Sequence, residues 1–137
     1  MWWIYAILSA LFASFTAIFA KMGVKGVDSD LATAIRTVII LVMAWLIVFF
    51  KGSITNNGPL SRNNIIFLCL SGVATGLSWI FYFKALQAGK VSQVAPVDKL
   101  SVALTVILSV IILKEAITLK MAIGTVFIVI GALLLIA

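Results

Sequence analysis

Residues 31–50 read LATAIRTVIILVMAWLIVFF, twenty positions with a single charged side chain, Arg36. A helix of this length extends about 30 Å, which is the thickness of the hydrocarbon core of a bilayer. Four other apolar runs of similar length accompany it, at about 2–20, 65–88, 92–113 and 119–137. The pattern predicts an all-α membrane protein in which five transmembrane helices form a single domain over residues 1–137.

The overall composition excludes a water-soluble fold. Hydrophobic residues make up 64% of the chain and charged residues 10%. Soluble domains are closer to half apolar and a quarter charged. We therefore expect the lipid bilayer to surround this chain, with connectors too short to form a domain outside the membrane.

Residue types that carry catalysis or metal binding are scarce. The chain has no histidine and one cysteine, Cys69. It offers no metal-ligand spacing, no paired intramembrane carboxylates and no phosphate-binding loop. Basic patches with interleaved aromatic residues, which are typical of nucleic-acid-binding proteins, are missing as well. We expect no enzyme activity, no cofactor, no metal and no nucleic-acid partner.

Polar residues mark the predicted helix ends. Asp30 or Ser29 is placed to cap the second helix, Ser61 the third and Thr118 the fifth. The longest connector contains Asn57-Gly58-Pro59, which is typical of a turn. All the connectors are short, so neighbouring helices are expected to run antiparallel.

An odd number of helices places the two termini on opposite sides of the membrane. Lysine and arginine near helix ends are balanced between the sides: Lys51, Arg62, Lys114 and Lys120 on that of the N-terminus, and Lys21, Lys25, Lys84 and Lys90 on the other. Arg36 and Lys99 lie deeper and would tip the balance towards the second side. Because positive charge fixes orientation, this weak bias favours either copies inserted both ways and paired antiparallel, or one weakly determined orientation.

Asp98 and Lys99 are charged residues inside the fourth run, where each charge is costly. Counted from Ser92, they lie roughly 9–10 Å along the helix, and Asp98 is the one carboxylate within a span. Neighbours in a helix point about 100° apart, so we expect each to pair with another helix or to line a polar cavity. Arg36 and Lys84 lie near helix ends, where their side chains can extend to the interface.

Pro96 has two interpretations. If the fourth helix begins at Ser92, the proline removes an amide donor and frees the Ser92 carbonyl, which protein or a water-filled cavity must satisfy. If the helix begins near Pro96, no hydrogen bond is lost.

Aromatic residues recur along the third run at spacings of three and four. Thr75, Trp79 and Tyr82 or Phe83 therefore share a helix face. Trp79 and Tyr82 either form an aromatic wall for an organic substrate or pack against lipid and neighbouring helices.

The C-terminal half resembles a known family. The residues that carry the resemblance are Ala85-Leu86, VSQVAP at 91–96, Leu100, Leu104, LKEAIT at 113–118, Ile123-Gly124 and Ile130-Gly131-Ala132. They are similar to the EamA domain of the drug/metabolite transporter superfamily. The glutamate-x-x-threonine turn before a glycine-spaced final helix is characteristic of that domain.

The resemblance implies a transporter that is completed by pairing. Most members of the superfamily contain two five-helix halves in tandem, inverted relative to one another, whereas this chain holds one. A multi-pass protein of a prokaryotic plasma or inner membrane is therefore expected. The related small multidrug resistance proteins use a glutamate in their first helix. The first run here has no acidic residue, so that coupling chemistry does not carry over.

We thus expect a secondary active transporter that exports or exchanges small metabolites or drugs by alternating access in an antiparallel homodimer. The expected substrate-lining residues are Trp79, Tyr82, Asp98 and Lys99, with Pro96 shaping the fourth helix. Alternatives are an accessory or structural subunit of a heteromeric transporter or, less favoured by the pattern, a channel.

Overall fold

The computed structural model describes residues 1–52 and 60–136, and every regular element in them is an α-helix. The helices are α1 (Trp2–Gly23), α2 (Ser29–Phe50), α3 (Arg62–Ala88), α4 (Val91–Asp98), α5 (Leu100–Leu113) and α6 (Leu119–Leu134). The prediction of an all-α chain is confirmed for these residues. The turn predicted at Asn57-Gly58-Pro59 lies outside the described part of the chain.

Four stretches of the described chain are long and apolar enough to cross a bilayer. They are Trp2–Gly23, Ser29–Phe50, Arg62–Ala88 and Val91–Leu113, the last consisting of α4 and α5 together. The apolar α6 is shorter, with 16 residues, and so extends about 24 Å. The predicted fifth run continued to Ala137, which is also outside the described residues.

The outward faces of these helices are apolar. Val38, Val42, Trp45 and Phe49 on α2, for example, are each more than half exposed. A row of large hydrophobic side chains without a protein partner is stable only in an apolar solvent. The structure therefore supports the expectation that lipid surrounds the helices.

Capping side chains fix the starts of three helices. Asp28 Oδ2 accepts hydrogen bonds from the Asp30 and Leu31 amides at 2.9 and 3.0 Å, so it caps α2 in place of the predicted Asp30 or Ser29. Ser61 Oγ accepts from the Asn64 amide at 3.2 Å, and Thr118 Oγ1 accepts from the Met121 amide at 3.3 Å. Both of these predicted caps are confirmed.

The predicted fourth helix at 92–113 is interrupted at Lys99. The Lys99 amide donates to the Pro96 carbonyl and the Val102 amide to the Lys99 carbonyl, both at 3.0 Å and both across three residues instead of four. Lys99 itself has φ −71° and ψ −8°, which departs from α-helical values. A tighter turn therefore separates α4 from α5 inside one apolar span.

The chain forms two compact units, one of Met1–Phe19 with Ala88–Ala137 and the other of Ala20–Gln87. In the first, α4, α5 and α6 contact one another. In the second, the ends of α1 and α3 meet the start of α2, and Phe83 and Leu86 are buried at 2% and 0% exposure. The polar groups considered below divide between these two units.

Candidate functional site

Within the unit Ala20–Gln87, the charge of Arg36 lies over two aromatic rings of α3. The guanidinium carbon is 4.3 Å from the centre of the Trp79 ring and 5.3 Å from that of Phe83. Trp79 and Phe83 are four residues apart, so they lie one above the other on the helix face towards α2. Arg36 is seven residues beyond Ser29, about 10 Å along α2. The contact therefore lies about a third of the way along the candidate span Ser29–Phe50.

The aromatic contacts offset only part of the cost of this charge. An arginine at the centre of a spanning helix costs about 2.5–3.5 kcal/mol on insertion scales, which is an upper bound for Arg36 because it lies nearer the start of α2. A cation over an aromatic face is worth roughly 0.5–2 kcal/mol. The five N–H donors of Arg36 remain able to engage further polar groups.

The two carboxylates of this unit are already engaged elsewhere. Asp28 caps α2, and Asp30 Oδ1 lies 3.3 Å from Lys84 Nζ. The ion pairs found among the described residues are Lys84 with Asp30 and Lys99 with Asp98. Neither pair includes Arg36, so no carboxylate of its own unit neutralises it.

Hydrogen bonds between side chains and carbonyls tie together the helix ends beside this cluster. Lys21 Nζ donates to the Leu86 carbonyl, and Gln87 Nε2 donates to the Val27 carbonyl at 3.0 Å. Thr33 Oγ1, buried near the start of α2, donates to the Ser29 carbonyl at 2.8 Å. The first bond joins the end of α1 to α3, and the second joins the end of α3 to the connector before α2, on the helix end from which Arg36 extends.

Two of the predicted lining residues belong to this unit. Trp79 and Tyr82 are half-buried, and the Tyr82 ring packs edge-on near that of Phe83, with centres 6.5 Å apart. The face of Trp79 that was expected to receive a substrate contacts the Arg36 guanidinium. Sequence reasoning placed Trp79 correctly inside the span but did not connect it with Arg36. The available signal for this contact was an arginine in one helix together with two aromatic residues four positions apart in the next.

The other predicted pair, Asp98 and Lys99, lies in the unit that contains α4 to α6. Lys99 Nζ is 3.3 Å from Asp98 Oδ2, so the two residues pair with each other. Although neighbours in a helix point about 100° apart, the long Lys99 side chain reaches back to the Asp98 carboxylate. The Asp98 side chain is 36% exposed and the Lys99 side chain is 56% exposed. Partly exposed charges inside a span require water or another protein surface.

Pro96 lies inside α4 and not at its start, since the helix begins at Val91. This start agrees with the first of the two interpretations, in which the proline has no amide to donate to the Ser92 carbonyl. Pro96, the turn at Lys99 and the Asp98–Lys99 pair fall within four consecutive residues. A backbone irregularity and two charged residues thus lie together inside one apolar span.

Metal coordination finds no support in the described residues. No three His, Cys, Asp or Glu side chains in residues 1–52 and 60–136 cluster as a metal site would require. Cys69 is a free, exposed thiol on α3.

Comparisons with known proteins agree with the helical architecture. An uncharacterized transporter of a Sinorhizobium species, from the region 3′ of cobO, is 46% identical over 134 residues, which cover 98% of this chain and 95% of the relative. An uncharacterized protein of Methanocaldococcus jannaschii is 38% identical over 71 residues, about half of each chain. No solved structure matches. The model of the EamA-like transporter family matches residues 1–137. The chain therefore belongs to the EamA-like transporter family, and it is a multi-pass membrane protein.

Proposed function

We propose that this protein is a secondary active transporter of small metabolites that works by alternating access as an antiparallel homodimer. Residues 1–137 act as one domain with five membrane spans, of which α6 forms the last. The transporter function follows from family membership. The mechanism and the assembly are the parts that we propose.

The observation that carries the mechanism is the interruption of the span Val91–Leu113. Irregular backbone in the hydrocarbon layer is tolerated where it lines a cavity or is covered by protein. Discontinuous helices of this kind form the substrate and ion sites of many secondary transporters. Asp98 and Lys99 lie at the interruption, and their partial exposure supports a role in lining the pathway. Trp79 and Tyr82 are the lining residues that we propose on α3.

With α6 counted as the fifth span, the odd number of spans supports the antiparallel assembly that we propose. Two copies of a five-helix unit in opposite orientations reproduce the inverted repeats of larger transporters. The Sinorhizobium relative, which this chain matches over 95% of its length, also has room for only one such unit. Lysine and arginine are nearly balanced between the two sides of the membrane, which permits insertion in both orientations.

Glycines on two helices provide surfaces for a second copy. A methyl group added at Gly72 or Gly76 of α3, or at Gly124 or Gly131 of α6, would meet no described atom within 4 Å apart from its chain neighbours and the adjacent backbone of its own helix. Small residues at such spacings allow another helix to approach closely in a membrane. These stripes are therefore suited to contact between protomers.

Reconstitution of the purified protein into liposomes tests this function. We expect uptake of at least one member of a panel of labelled amino acids, nucleotide precursors and organic ions, driven by an ion or substrate gradient. Cross-linking in the same liposomes should yield a species of twice the monomer mass without any other polypeptide. Conductance without saturation would indicate a channel. A requirement for a second, different polypeptide would indicate an accessory subunit.

A further inference from the structure

We infer that Arg36, held over Trp79 and Phe83, is a binding site for the carboxylate or phosphate group of an anionic ligand. The inference deepens the proposed function, because it assigns a chemical class to the substrate that the transporter would carry. From the sequence, the Arg36 side chain was expected to extend to the membrane interface.

The first step concerns charge. Of the four acidic residues in the chain, Asp28 caps α2, Asp30 pairs with Lys84, and Asp98 pairs with Lys99. The fourth, Glu115, follows α5 in the connector to α6 and so lies outside the spans. The carboxylates inside or next to the spans thus have partners of their own. An anion for Arg36 is therefore expected to come from a molecule other than this chain.

The second step concerns geometry. Arg36 Cζ lies over the Trp79 and Phe83 rings, at 4.3 and 5.3 Å from their centres. The N–H groups of a guanidinium lie in one plane, where they match the two oxygens of a carboxylate or phosphate. Arg36 is half-buried, and Phe83 beneath it is nearly fully buried. The side chain is therefore held in place before the ligand arrives, which favours binding.

The third step concerns what the same rings would otherwise bind. An open tryptophan face in a membrane cavity is suited to an organic cation. Here the Arg36 charge already occupies that position over Trp79, and a second cation would be repelled. The cluster therefore selects against cations and for anions.

Two sources of such an anion share this chemistry, a soluble metabolite and the phosphate of a lipid headgroup. The test uses a variant in which Trp2, Trp3 and Trp45 are replaced by phenylalanine, so that Trp79 is the one remaining tryptophan. This protein is reconstituted into phosphatidylcholine vesicles, and the emission of Trp79 is followed during titration. The soluble probes are sodium phosphate, sodium succinate, sodium chloride and tetraethylammonium chloride. In the second arm, phosphatidylglycerol replaces part of the lipid and no soluble probe is added.

We expect phosphate or succinate to change Trp79 emission saturably, with no comparable effect of sodium chloride or tetraethylammonium chloride. Arg36→Gln should abolish the response, and Arg36→Lys, which keeps the charge but not the fork, should weaken binding at least tenfold. Arg62→Gln, which removes an exposed arginine at the start of α3, is the matched control and should respond normally. A response to phosphatidylglycerol alone that is lost in Arg36→Gln would identify the anion as lipid.

If Trp79 emission does not change in either arm, the inference is overturned. This outcome is read from the protein with Arg36 in place, so it does not depend on whether an Arg36 variant folds. A saturable response to tetraethylammonium, or an anion response that persists in folded Arg36→Gln, also overturns it. Because the readout is binding, it is separate from transport. Anion binding without any transport would contradict the proposed function alone, whereas transport of cations without anion binding would contradict this inference alone.

Discussion

Lys84 Nζ lies 3.3 Å from Asp30 Oδ1, so an ion pair joins the last turns of α3 to the first turn of α2. Both side chains are more than half exposed, and exposed pairs contribute about 0–1 kcal/mol. We expect Lys84→Gln to change the free energy of unfolding by less than about 1 kcal/mol. The free energy of unfolding is measured in mixed micelles by titration with sodium dodecyl sulfate. A substantially larger loss would show that the pair contributes more than its exposure indicates.

Leu86, two residues further along α3, is fully buried and should matter more. Leu86→Ala leaves a cavity, and in a membrane the cost comes mainly from lost packing, because lipid is as apolar as the protein interior. We expect a loss on the order of 1–3 kcal/mol in the same unfolding measurement. Leu68→Ala, at an exposed position of the same helix, is the control and should cost much less. Equal losses of unfolding free energy for the two variants would contradict the burial of Leu86.

The helix boundaries show which parts of this fold are readable from sequence. The apolar runs and the caps at Ser61 and Thr118 were predictable, because each depends on a few adjacent residues. The cap of α2 was missed by one position: Asp28, Ser29 and Asp30 are all capping residues, and sequence alone does not choose among them.

The candidate site was less predictable than the helices. The turn at Lys99 depends on how the chain continues beyond Pro96, and a helical wheel assumes that it continues unchanged. The contact of Arg36 with Trp79 depends on the rotation of α2 against α3, which side-chain packing sets. The way one helix packs against another is not marked by any short pattern in a single sequence.

Pro96 is expected to prevent α4 and α5 from joining into one continuous α-helix. Pro96→Ala restores the amide that can bond the Ser92 carbonyl and removes the steric reason for an irregular helix. We expect the variant to be at least as stable as the parent protein, with transport slowed at least tenfold because the pathway loses its irregular segment. Transport rate and thermal unfolding are measured on the same preparation. Unchanged transport would show that the interruption plays no part in the mechanism.

Asp98 and Lys99 are expected to be essential for transport. Asp98→Ala or Lys99→Ala removes one member of the pair and leaves the other charge uncompensated inside the span. We expect each variant to reach the membrane folded and to have lost transport in proteoliposomes. Glu115→Ala removes an acidic residue outside the spans and should retain activity. Normal transport by both pair variants would exclude these residues from the pathway.

The proposed assembly requires that copies of the chain insert in both orientations. In a Cys69→Ser background, Lys90→Cys and Lys114→Cys place single thiols in connectors expected on opposite sides of the membrane. A membrane-impermeant maleimide is applied to intact cells and then to opened membranes. We predict partial labelling of both cysteines from outside, with the remainder labelled after opening. Complete labelling of one cysteine and none of the other would show a single orientation and would contradict the antiparallel dimer.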